Sequence, residues 1–154
     1  MSEYSATVRW ERGDQVFVDD QYSRAHAWHF DGGLAVPASA SPEIVPPPYS
    51  VAANVDPEEA LVASLSSCHM LFFLAMAAKR GIVVDCYSDA ASGYLAKDEN
   101  DRLAMTRVIL RPRASYSGKK MPTMPQLQKL HHRSHELCFI ANSVRTDVRI
   151  EIIS

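Results

Sequence analysis

The chain has 154 residues, 47% of them hydrophobic and 22% charged, with a formal net charge of −2. Those values fit a single domain over residues 1–154 and offer no basic surface for nucleic acid or an anionic membrane. Three cysteines without paired spacing argue against a disulfide framework. The opening stretch MSEYSATVRWERGD lacks the apolar core of a signal peptide. The expectation is a cytoplasmic protein with reduced thiols.

In chain order, Tyr4 to Trp10 reads as a strand, Arg12-Gly13-Asp14-Gln15 as a turn, and Val16-Phe17-Val18 as a short return strand. Ser23 to Phe30 predicts a third strand, closed by Asp31-Gly32-Gly33. Between Leu34 and Val55 five prolines (Pro37, Pro42, Pro46, Pro47 and Pro48) preclude a long regular element. A loop of that length reads as a wrapping arm that seeks cover for Ile44, Val45 and Tyr49.

The chain is organised around Asp56 to Arg80. Asp56 is a helix N-cap, Pro57 suits the first helical position, and Glu58 and Glu59 complement the dipole. Lys79, Arg80 and Gly81 supply the opposite end. Between them almost every side chain is apolar or small, which predicts a helix covered all round. The run is borderline in length for a membrane span, but its serines, histidine and capped ends favour a buried helix.

Ile82–Tyr94 and Ala104–Tyr116 form a hairpin with long arms across the polar KDENDR turn. Pro122 and Pro125 lead into a second helix, Gln126 to about Leu137, with Leu127, Leu130, Ser134 and Leu137 inward. Ser143–Ile153 alternates as a last strand. The order implies an α+β domain of mainly antiparallel sheet with two principal helices.

Chemistry centres on the thiols. Cys68 lies mid-helix beside His69, Cys138 ends the second helix, and Cys86 falls in a strand where it packs as a small hydrophobe. His131, His135 and Cys138 share one helix face. A neighbouring imidazolium lowers a thiol pKa, and two thiols that meet can close a disulfide after a peroxide makes a sulfenic acid. The same spacing permits an alternative, a binding or redox-sensing module in which Cys68, His69, His135 and Cys138 hold a metal or thiol-reactive ligand. Glu58 stands ten residues before Cys68, about 15 Å along the helix, so it cannot touch that thiol from its own chain. Dipole complementarity is one account of it, and a site shared by two chains is another.

DPEEALVASLSSCHMLFFL, followed by HELCFIANSV, resembles the OsmC/Ohr family of osmotically inducible and organic hydroperoxide resistance proteins, over nearly the whole chain. The resemblance implies the OsmC-like fold as an intertwined homodimer. It implies thiol-dependent reduction of organic hydroperoxides without metal, haem or flavin. Cys68 would attack the peroxide and Cys138 would resolve. Glu58 would pair with an arginine, either Arg12 or Arg24, that holds the thiolate. The electrons would come from an unidentified thiol reductant, a lipoyl protein among the candidates. An apolar substrate pocket is expected near Met70, Phe72, Phe73 and Phe139, although Met70 and Phe72 read better as core, since a helix aims only part of its circumference at one pocket. Phe139 stands where many members have proline, and His69 and the His131/His132/His135 tract depart from the best-known members.

Overall fold

A computed structural model describes residues 1–154. Its internal contacts divide the chain into two compact units, Met1–Ala60 and Leu61–Ser154.

The first unit holds a three-stranded antiparallel sheet of β1 (Ala6–Arg9), β2 (His26–Phe30) and β3 (Ala35–Ala38), in that order. β1 pairs directly with β2, Val8 opposite Trp28. The expected return strand at Val16–Val18 does not form. Phe17 instead stacks on Tyr22 at 4.6 Å and lies 5.8 Å from Trp10, so aromatic packing of the loop displaces strand pairing. β3 was not foreseen because it contains Pro37, which faces Ala27. An edge strand tolerates a residue without an N–H. Beyond it, Val55 exchanges backbone hydrogen bonds with Ser39 and Pro37, which ties down the far end of the proline-rich arm.

Helix α1 (Pro57–Lys79) starts on a capping box. The Asp56 carboxylate accepts from Glu59 N at 2.8 Å, and Asp56 N donates to the Glu59 carboxylate at 3.2 Å. It ends on a Schellman motif, with Gly81 at φ 71°, Ile82 N donating to Ala77 O and Gly81 N to Ala78 O.

In the second unit the long hairpin is bent into two ladders. β4 (Val83–Asp89) pairs with β7 (Pro112–Ser117), and β5 (Ser92–Lys97) with β6 (Leu103–Leu110). Asp89 holds the bend, accepting from Arg111 N and from the Ser66 hydroxyl of α1. β8 (Asp147–Ile150) adds to β6 in parallel, the one pair of strands that departs from antiparallel pairing, with the single Ala38–Val55 bridge also parallel. Helix α2 (Met124–Leu137) opens on a capping box between Thr123 and Gln126.

The core lies on one side of α1. Phe73 and Ala77 pack with Ile82, Leu127 and Leu130, while Leu65 packs with Val108 and Leu110. Only Leu65, His69, Phe73 and Ala77, an i, i+4 stripe, are fully buried. Leu71 remains 60% exposed. The expectation of a helix covered all round is therefore corrected: 154 residues in two units bury one stripe of it. By length and composition α1 could cross a membrane, but that stripe joins both core clusters and identifies a core helix.

Candidate functional site

Cys68 and Cys138 are both free. Cys68 is half-buried at the middle of α1, whereas Cys138 is 1% exposed and caps α2. The chain leaves helical geometry at Cys138, whose N–H still donates to His135 O at 3.3 Å. A 3-10 turn, Ala141–Ser143, then brings Ala141 N to within 3.3 Å of the Cys138 sulfur. Burial pushes the Cys138 thiol up to about 11, with hydrogen bonding to the Cys68 side chain the next cause. The two thiols are therefore neighbours across the α1–α2 contact, 70 residues apart in sequence. Phe72 and Phe139 meet edge to face at 5.1 Å, one from each side of the same contact.

His69, the residue after Cys68, belongs to a buried pair of imidazoles. His69 Nε2 and His131 Nδ1 are 2.9 Å apart, with ring planes 2° from parallel. Phe73 stacks on His131 at 4.3 Å. Both rings are almost fully buried, at 1% and 3% exposed. Desolvation lowers both to about 4, aided at His69 by His135 and at His131 by His69, while Asp89 opposes the shift at His69. Both rings are thus neutral at pH 7. His69 Nδ1 and His135 Nδ1 are buried without a hydrogen-bond partner, as is the hydroxyl of Tyr87, which burial and Asp89 hold firmly protonated.

The sequence placed His131, His135 and Cys138 on one face, and the structure gives them separate duties. His131 is bonded to α1, His135 is half-buried, and His132 points outward to Glu136 at 3.5 Å. No three His, Cys, Asp or Glu side chains converge as a metal-ligand group, so the set Cys68, His69, His135 and Cys138 does not assemble as one. The His69–His131 bond and Asp89 were missed by sequence reasoning. A signal existed for the histidines, since His69 falls on the Leu65–Phe73–Ala77 stripe and His131 four residues after Leu127.

Glu58, half-buried at the start of α1, makes no hydrogen bond or ion pair with either candidate arginine within the first unit. Arg12 donates to Gln15 O at 2.9 Å and closes its turn. Arg24, its side chain 16% exposed, binds the Asp20 carboxylate at 2.6 Å and stacks 3.8 Å above the Tyr22 ring. It also lines an open groove of about 500 Å³ with Val8, Trp10, Phe17, Tyr22 and Pro57, next to Glu58 in the chain.

The expected pocket of Met70, Phe72, Phe73 and Phe139 is not built as such. Phe73 is wholly in the core, and Phe139 is 71% exposed. Cys86, expected to be packed, is exposed on β4, because its strand turns that position away from the helices.

Fold and thiols together define a class: an α+β protein whose two main helices bring a dithiol together beside a bent hairpin. The sequence model described as OsmC-like protein matches residues 51–153, and the chain belongs to the OsmC/Ohr family. An OsmC-like protein of unknown function from Vibrio cholerae is 58% identical, with a TM-score of 0.98 over 99% of this chain and 100% of that one. An organic hydroperoxide resistance protein OsmC from Legionella pneumophila is 16% identical, with a TM-score of 0.71 and full coverage of both chains. The organic hydroperoxide resistance protein OhrB of Bacillus subtilis is 19% identical, with a TM-score of 0.65 over 99% of this chain and 98% of that one. These last two share the fold. No curated protein matches the sequence.

Proposed function

We propose that this protein is a cysteine-based peroxidase that reduces organic hydroperoxides in the cytoplasm. The observation that carries the reading is the pairing of a half-exposed thiol, Cys68, with a buried one, Cys138, across the α1–α2 contact. A peroxide can reach only the first, so Cys68 attacks and Cys138 resolves. The Cys68 thiolate takes the terminal peroxide oxygen and becomes a sulfenic acid, and the alkoxide leaves as the alcohol after taking a proton. Cys138 then displaces hydroxide from that sulfur to give the disulfide, and an external dithiol returns both thiols. Relatives of the same fold named for organic hydroperoxide resistance support this reaction class.

The protein works as a homodimer. An apolar helix buried along one stripe, with Leu71 60% exposed, and a first unit exposing Val8, Trp10 and Phe17 together call for apolar cover. Glu58, unpaired with Arg12 and Arg24 of its own first unit, takes its arginine from the second copy. That arginine holds the Cys68 thiolate, with Arg24 or Arg12 in the role.

The test is mass spectrometry of alkylated protein before and after one equivalent of cumene hydroperoxide. A Cys68–Cys138 disulfide is expected, absent in Cys68→Ser, and Cys138→Ser should stop at a trappable sulfenic acid. Unchanged thiols in the wild-type protein defeat the reading. Sedimentation velocity should return twice the 17.1 kDa chain mass, and a monomer at micromolar concentration overturns the dimer.

A further inference from the structure

The turn that follows Cys138 is fixed by hydrogen bonds of its own. Asn142 N donates to Cys138 O at 3.0 Å and Ser143 N to Ile140 O at 3.0 Å. Asn142 Nδ2 donates to Glu136 O at 3.1 Å, and Ser143 Oγ to Phe139 O at 2.6 Å. Within this stapled turn the Ala141 N–H is aimed at the Cys138 sulfur, 3.3 Å away. The Ile140 N–H acts on the same sulfur in the same sense and favours its charged form. Successive backbone donors turned on one atom make a concavity for an anion. Cys138 is only 1% exposed, so water does not fill that role.

The dithiol cycle puts negative charge on this sulfur when the disulfide is reopened. Of the two sulfurs only that of Cys68 is half-exposed, so the external dithiol attacks there. Its thiolate bonds to the Cys68 sulfur, the Cys68–Cys138 bond breaks, and the electron pair of that bond stays on Cys138. The reductant's second thiol then gives its proton to Cys138, closes on the first sulfur, and releases Cys68 as a thiolate. Two electrons have passed from the reductant to the disulfide. A leaving sulfur departs faster the more readily it carries charge. In the reduced protein the Cys138 thiol is pushed up to about 11 by burial, and by the hydrogen bond and charge of Cys68. While Cys68 is bonded to the reductant its hydrogen bond and charge are gone, and the backbone donors oppose burial.

We propose that the Ala141 N–H, with that of Ile140 beside it, is a thiolate hole that stabilises Cys138 as the leaving sulfur, an assignment that rests on the dithiol of the peroxidase reading above. It works as an oxyanion hole does: donors held in place by the fold meet a charge that exists only in passing. At pH 7 Cys138 is uncharged both in the disulfide and as a thiol. The hole therefore lowers the barrier between those two states and leaves their balance alone. By the same path run backwards, it serves Cys138 when the disulfide closes. A turn that merely kept Cys138 near Cys68 would act differently, since its loss would shift the balance between dithiol and disulfide.

The experiment is thiol–disulfide exchange with reduced and oxidised dithiothreitol at pH 7, which needs no peroxide. Ala141→Pro deletes the N–H at the first position of the 3-10 turn, where proline fits, and Ala141→Gly keeps it. The disulfide of Ala141→Pro should be reduced about 3- to 10-fold more slowly than that of the wild type, because about half of a charge-assisted hydrogen bond is felt in the transition state. Its equilibrium constant with dithiothreitol should stay within about twofold of the wild-type value, since no charge rests on Cys138 in either end state. Ala141→Gly should match the wild type in both. A proline variant reduced at the wild-type rate, or one whose equilibrium constant moves as far as its rate, overturns the assignment. A second measurement uses no proline: the amide proton resonance of Ala141 in Cys68→Ser, followed while Cys138 ionises. It should move downfield as the thiolate forms, and a resonance that ignores the titration overturns the hole even if Ala141→Pro fails to fold. Thiols that exchange in this manner yet ignore cumene hydroperoxide remove the peroxidase reading and leave the hole standing.

Discussion

Mild acid should destabilise this protein through the His69–His131 pair. Both rings titrate at 6.5 in the unfolded chain and at about 4 in the folded one, where desolvation disfavours the charged form. The unfolded state therefore binds more protons between those values. Stability is complete above pH 6.5 and is lost as pH falls through 6.5 toward 4. Between pH 7 and 5 each ring costs about 2 kcal/mol, so the pair costs about 4 kcal/mol. For a chain of this size that is about 10 °C in Tm. Asp98 and Glu136, whose carboxylates are held below their usual values by neighbouring hydrogen-bond donors, add their losses only at lower pH. The assay is thermal unfolding at pH 7, 6 and 5, at one fixed protein concentration because assembly contributes to the midpoint. The double variant His69→Asn/His131→Gln is the reference. It should start lower and change far less over this range. A wild-type slope equal to that of the double variant would refute the reasoning, since the acid sensitivity would then lie elsewhere.

Three further outcomes follow from packing and capping. Leu65→Ala, at a side chain with no exposed surface between α1 and Val108 and Leu110, should cost about 2–5 kcal/mol in urea titration. A loss under 1 kcal/mol would mean that this core collapses around the cavity. Gly93→Ala places a methyl against Val62 of α1 and Met105 of β6, closer than side chains normally approach. It should lose about 1–3 kcal/mol, whereas the same change at Gly32, where nothing lies within 4 Å, should be tolerated. Asp56→Ala removes the carboxylate that accepts from Glu59 N and should lower stability by about 1 kcal/mol, with Asp56→Ser recovering most of it.

The sequence itself determined what depends on neighbours in the chain. The ends of α1 were legible because Asp56, Glu59 and Gly81 carry their instructions within one turn. The hairpin followed from two β-rich arms about a polar turn, though not its bend at Asp89, and the second helix followed from its periodicity. Cys68 and Cys138 stood out by residue type and by the motifs around them. Decisions that need a distant surface were not legible. Phe17 left its expected strand because Tyr22 and Trp10 offered it a better contact. Pro37 entered a strand because that strand is the outer one of its sheet, where the neighbouring Val55 asks only for the Pro37 carbonyl and not for an N–H. β8 runs parallel to β6, which alternation cannot reveal. Above all, whether the His69 ring is bonded or alone depended on His131, 62 residues away. An imidazole buried alone is a cost, and only the tertiary contact turns this one into a hydrogen-bonded pair.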